Sequence, residues 1–188
     1  MYKAILFVFL PLLSFGQTKW TVDKSHSEIG FIVTHMLISE VDGEFHDYDL
    51  QMTSPNDDFS NASIVFTIKV SSIDTDNSRR DDHLKSGDFF DESKFPEIKF
   101  AGRLVKENDD YFLEGDFTMK EVTEKVKFDV TYMGSIETKR GKKAGFKVTG
   151  TLNRFDYGLK WNSTVESGGL VVGEDVVINC KLELNEEK

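Results

Sequence analysis

The chain has 188 residues, 33 acidic against 23 basic, and a formal net charge of −10. That length fits a single domain. The acidic balance argues against a nucleic-acid partner and against electrostatic docking on anionic lipid. The one cysteine, Cys180, allows no internal disulfide, so the fold rests on its apolar core, for which sixteen Phe, two Trp and five Tyr supply material.

The first segment reads as an export signal and is set aside before fold reasoning. Lys3 gives a positive start, residues 4–13 are apolar, and Ser14 and Gly16 place small residues ahead of a cut before Gln17. The apolar run falls short of the roughly 20 residues that span a bilayer. No later stretch could cross one, and no cysteine follows the cut to carry a lipid anchor. The expectation is an exported protein, periplasmic or secreted, without an integral membrane span.

Beyond the signal, the repeating pattern is alternation with a period of two. Ile29, Phe31 and Val33 alternate with Gly30, Ile32 and Thr34. Ala62, Ile64, Phe66, Ile68 and Val70 form a second such series. Val126, Phe128, Val130 and Tyr132 repeat the pattern, as do Phe146, Val148, Gly150 and Leu152. Val176, Ile178, Cys180, Leu182 and Leu184 complete it. Each series predicts a strand with one dry and one wet face. Residues 20–23, 41–52, 98–105 and 111–117 are weaker strand candidates, giving eight or nine strands joined by short, mostly antiparallel connections. Turn residues at 54–58, 107–110 and 139–143 punctuate them, the last a basic but solvated hairpin loop.

Residues 78–87 break the pattern and predict a short helix, with Ser78 as N-cap and Gly87 as stop. They lie in a long connection between two strands, of the kind that commonly carries function. Many strands with one dry face each must close over a shared core. A sandwich and a barrel both satisfy this, and an eight-stranded barrel has room for packed side chains or one small ligand.

Several blocks carry a family resemblance. The series opens with Trp20-Thr21-Val22-Asp23-Lys24-Ser25-His26-Ser27, then Phe31, His35 and Val41-Asp42-Gly43-Glu44-Phe45. It continues with Ser72-Ile73-Asp74-Thr75 and with Arg80-Asp81-Asp82-His83-Leu84-Lys85-Ser86-Gly87-Asp88-Phe89-Phe90-Asp91. Phe95-Pro96-Glu97-Ile98-Lys99-Phe100 and Gly115-Asp116-Phe117-Thr118 follow. Arg154-Phe155-Asp156-Tyr157-Gly158-Leu159 and Gly173-Glu174-Asp175-Val176 close the series. In order and spacing these blocks resemble the YceI-like family of polyisoprenoid-binding, exported bacterial proteins. The resemblance implies an all-β fold, an extended antiparallel eight-stranded lipocalin-like barrel with the short helix near residues 78–87. It implies an apolar channel for an isoprenoid or quinone-like amphiphile, and commonly a homodimer. One departure is Glu121, in a turn where the family usually has Gly, which puts the backbone there in question.

A long apolar ligand needs a dry tunnel with a few polar groups at its mouth. Candidate channel-lining residues are Phe31, Val33, Phe66, Ile68, Phe89, Phe100, Phe128 and Phe146, which could equally fill a solid core. Arg80 and His83 are candidate head-group ligands, since a guanidinium offers forked donors. Local pairing of Arg80 with Asp81 or Asp91 is the plainer alternative. Arg154, Trp161 and His35 are further candidates, with an Arg154–Asp156 surface pair as the plain reading of Arg154. The four His lack metal-ligand spacing, and no nucleophile elbow, zinc-protease motif or phosphate loop is present. The sequence therefore predicts no catalytic residue, no metal and no cofactor beyond a bound isoprenoid-type lipid. An exported enzyme using His83 or His35 as base, and a ligand-free partner-binding barrel, are the alternatives.

Overall fold

The computed structural model describes residues 16–164 and 170–187. The export segment expected at residues 1–16 lies outside the described residues, Gly16 excepted. Eleven strands appear in chain order: β1 (Thr18–Val22), β2 (Glu28–His35), β3 (Ser39–Phe45), β4 (Tyr48–Ser54), β5 (Ser63–Lys69) and β6 (Ile73–Asp74), then β7 (Glu97–Glu107), β8 (Asp110–Met119), β9 (Val122–Thr138), β10 (Gly141–Asn153) and β11 (Val172–Glu186). Among the described residues one α-helix, α1 (Ser78–Lys85), lies between β6 and β7.

Three bends reduce these to eight barrel strands. β1 and β2 are one strand broken by a 3-10 turn at Lys24–His26, and both pair with β11. β11 is 15 residues long, and only the two together match it. β3 and β4 are one strand bent at His46 and Asp47, while β5 passes through a turn at Val70–Ser72 into β6, which pairs with β3. All pairings are antiparallel, and the ring closes where Trp20 of β1 faces Met52 of β4 on one side and Glu186 of β11 on the other. The expected all-β eight-stranded barrel with one short helix is therefore the observed fold. Closure also removes the exposed edges that an open sheet would present.

The alternation does what it predicts. Tyr48, Leu50 and Met52 point inward from β4, and Ile98, Phe100 and Leu104 from β7. Antiparallel order places the β4–β5, β7–β8 and β9–β10 connections at one end of the barrel and α1 at the other. We call these the lower and upper ends.

The lower end is plugged. Between β4 and β5 the chain turns inward and buries Phe59 to 1 % exposure. Its ring centroid lies 5.0 Å from Trp20, 5.2 Å from Phe146 and 5.4 Å from Tyr132. Phe59 holds a positive φ of 61°, uncommon for a bulky residue. Hydrogen bonds fix it there: its amide donates to Asn56 O, and the Tyr111 hydroxyl donates to Asp58 O at 2.7 Å.

At the upper end α1 begins one residue earlier than expected. Asn77, not Ser78, is the N-cap, its side chain accepting from the Arg80 amide at 3.1 Å. Ser86 ends the helix and its hydroxyl donates to His83 O, ahead of Gly87. The turn in question between β8 and β9 puts its positive φ, 54°, on Lys120 and not on Glu121. The basic run at 139–143 turns at Lys139 and Arg140 only; Lys143 is already in β10. Among the described residues no helix is long and apolar enough to cross a membrane.

Candidate functional site

Above the Phe59 plug the barrel interior does not fill. A cavity remains that offers about 160 Å³ to the centre of a water-sized sphere, where one water needs only about 10–15 Å³. Its wall is aliphatic and aromatic. Phe31 and Val33 of β2, Phe66 and Ile68 of β5, Phe100 of β7 and Phe128 of β9 line it, with Phe89 reaching in from the segment after α1. Phe146 does not: it lies below, packed on Phe59 and Tyr132 in the plug.

Sequence reading missed how this space stays open. Inward-facing positions that would carry side chains are glycines, and Phe rings lie over them. A Cβ on Gly43 would stand 2.3 Å from the Phe31 ring, and one on Gly150 2.2 Å from Phe128. Gly102 and Gly115 face each other across β7 and β8, and a Cβ on either would meet the Phe100 ring within 2.8 Å. Three rings thus lie along the wall rather than across the lumen. The clue was present, since Gly150 falls on the dry phase between Val148 and Leu152.

Arg154 is the charged group in the wall. It sits in the turn after β10, 5 % exposed. Its Nε donates to Gly173 O at 2.8 Å, its Nη2 to Val172 O at 3.1 Å, and its Nη1 to Trp161 O at 2.9 Å and to Leu159 O. It is no surface partner of Asp156; it ties the turn at 154–161 to the start of β11. Burial pulls its pKa down, with the Glu174 charge acting the other way. Two further wall groups stay neutral: burial pushes the Tyr157 hydroxyl and the Cys180 thiol each up to about 12. The interior thus favours uncharged ligand surface, because stripping a charge of its water is costly.

The remaining predicted polar residues gather around the upper end, outside the cavity wall. Arg80 does not pair with Asp81 or Asp91. Its Nε donates to Thr75 Oγ1 at 2.7 Å and its Nη2 to Thr75 O, while buried Asp81 accepts from the Thr75 amide and hydroxyl at 3.0 and 2.5 Å. The pair ties α1 to Thr75, the residue that follows β6. His83 and Trp161 come together with Phe89: ring centroids are 4.9 Å apart for His83–Trp161 and 5.2 Å for Phe89–Trp161. Nε2 of His83 lies 2.9 Å from an Asp88 carboxylate oxygen. His35 stands apart at the end of β2, paired with Ser39 and Val172.

At the lower flank, Asp23, His26 and Glu183 bring ligand-type atoms within 4.8 Å of one another. The Lys143 ammonium already serves that cluster, 2.9 Å from Asp23 and 2.5 Å from Glu183.

Comparison with known proteins places this architecture. The sequence profile of the YceI-like domain matches residues 20–184. A UPF0312 protein of Staphylococcus aureus is 38 % identical over 170 residues, covering 89 % of this chain and 98 % of that one. A crystal structure of a Campylobacter jejuni YceI protein superposes with a TM-score of 0.71 at 29 % identity, covering 89 % of this chain and 98 % of that one. A polyisoprenoid binding domain from Saccharophagus degradans shares the fold at a TM-score of 0.64 and 11 % identity, over 89 % of this chain and 98 % of its own. The chain belongs to the YceI-like domain family.

Proposed function

We propose that the protein is a carrier or sequestering barrel for an isoprenoid or quinone-like amphiphile in an exported setting, acting by binding rather than turnover. The observation that carries this reading is the glycine-spaced cavity, an unfilled apolar lumen in an otherwise closely packed barrel. A filled core would have put side chains at Gly43, Gly102, Gly115 and Gly150; here rings lie over those positions and space is left above the plug. Each CH₂ transferred from water to such a wall contributes about 0.8 kcal/mol, so a long tail binds without covalent chemistry. The tail enters the lumen and the head group remains near His83, Trp161 and Arg80 at the upper end. The Saccharophagus domain, with the same fold and described as polyisoprenoid binding, supports the ligand class.

The test is a titration of delipidated protein with a polyprenol and a quinone of matched tail length, followed by Trp161 fluorescence with Trp161→Phe as control. Saturable binding that strengthens with tail length is expected. Absence of saturable binding to either compound would overturn the reading.

A further inference from the structure

The β2–β3 hairpin ends in three consecutive apolar side chains that no described residue covers. Met36 is 43 % exposed, Leu37 63 % and Ile38 88 %. The turn is built against local preference. Ile38 N donates to His35 O at 3.2 Å, closing a turn whose two central residues, Met36 and Leu37, have φ of 51° and 67°. That is the pattern of a type I′ turn, which favours Asn-Gly, because side chains with a Cβ are strained at positive φ. Folding alone favours Asn and Gly here, so the turn's own preference does not account for the apolar residues.

Position indicates a role for them. The tip stands at the upper end, beside the cavity. Val33, two residues before His35, lines the cavity, and so does Val172, which pairs with His35; the Met36 amide donates to Val171 O at 2.8 Å. The α1 segment and the turn at 154–161 share that end.

We propose that Met36, Leu37 and Ile38 form a finger that inserts into a neutral lipid bilayer and seats the upper end of the barrel on it. This rests on the carrier reading, since a barrel that exchanges a membrane lipid must bring its cavity to the membrane. Two observations favour a bilayer over a second protein. Three side chains fall well short of the roughly 800 Å² per partner that a stable protein interface needs. They form a point rather than a face. The surface is zwitterionic rather than anionic, because the tip has no charged side chain and the chain carries a net charge of −10. Contact is weak and reversible, in the range of about 10⁴ M⁻¹ that a single acyl chain gives.

The test is flotation of the chain from Gln17 onward, which holds every strand of the barrel, with phosphatidylcholine vesicles. The comparison is Met36→Asn with Leu37→Gly and Ile38→Ser. This variant supplies the residues the turn prefers, so its Tm should equal or exceed that of the parent. The parent is expected to float with the vesicles, less so when phosphatidylglycerol is added, and the variant to lose at least tenfold in partitioning. A parent that stays in solution, a variant that floats equally, or a parent dimer that dissociates on substitution would each overturn the proposal. Bound isoprenoid, assayed by mass in the same fractions, separates the two readings. Lipid-loaded protein that does not float contradicts the finger alone, and vesicle-bound protein that never holds isoprenoid contradicts the carrier.

Discussion

His83 of α1 and Trp161 of the turn after β10 meet edge to face at the upper end, ring centroids 4.9 Å apart and planes at 86°. The contact links two segments that lie 78 positions apart in the chain. Phe89, which lines the cavity, packs on both rings. Edge-to-face pairs contribute about 0.5–1.5 kcal/mol beyond the area they bury. On the carrier reading, a tie of that size would hold the upper end together without locking it.

Trp161→Ala is therefore expected to leave the barrel intact and speed ligand exit. Stopped-flow displacement of a bound polyprenol should show an off-rate raised about fivefold or more, in line with the loss of the ring contacts to His83 and Phe89, with Tm shifted only slightly. An unchanged off-rate would remove the turn from the exit route.

The glycine positions make opposite predictions for the same substitution. The three atoms nearest a Cβ at Gly150 all belong to the Phe128 side chain, the first at 2.2 Å, so Gly150→Ala is expected to turn that ring into the lumen. The variant should fold and lose capacity for a long tail. A Cβ at Gly102 meets Glu114 O at 2.2 Å and Gly115 Cα at 2.7 Å, both backbone. Gly102→Ala must part β7 from β8, and urea unfolding should show a loss at or above the 1–3 kcal/mol typical of overpacking. Equal effects at the two sites would contradict this account of the wall.

Arg154 donates to four backbone carbonyls, so its replacement leaves several acceptors unmet. Each buried group left without a partner costs about 1–3 kcal/mol. Arg154→Met should lower stability by about 3 kcal/mol or more, and Arg154→Lys should restore little, because an ammonium cannot reach the same fork of carbonyls. Denaturant midpoints of the two variants decide it.

The clasp of Asp23, Lys143 and Glu183 joins β10 and β11 to the bend between β1 and β2. Its hydrogen bond with Lys143 is the main cause that lowers Asp23 from 3.8 to about 2. A carboxylate lowered on folding stabilises above its unfolded value and loses that contribution as pH falls through the folded one. Stability should drop between about pH 4 and pH 2, and Lys143→Met should flatten that part of the profile. Urea midpoints across the range measure it, and a variant with the parent's acid slope would remove Asp23 from the account.

What the sequence reveals follows from where the physics is local. The strands at 62–70, 125–132 and 146–153 are readable because each keeps one dry face. The break at His46 and Asp47 leaves only a one-residue slip of phase, with Gly43 and Phe45 buried before it and Tyr48, Leu50 and Met52 after it, which reads as one weak strand. The Phe59 plug hides behind the polar residues 54–58, which announce a turn and nothing of its inward fold. Seven of the proposed wall residues border the cavity, whereas Phe146 belongs to the plug because alternation gives a residue's side of the sheet and not its height in the barrel. Arg154 looked like a surface or head-group residue because its partners are carbonyls, which leave no mark in the sequence.

The central claim is that the glycine-spaced lumen holds a long isoprenoid-type tail. Native mass spectrometry of the protein purified from its own host, followed by organic extraction, tests it most directly. The account predicts a bound species of one polyprenyl-type mass, released on extraction and depleted in Gly150→Ala. A protein that carries no lipid, or carries the same lipid undiminished in Gly150→Ala, would contradict it.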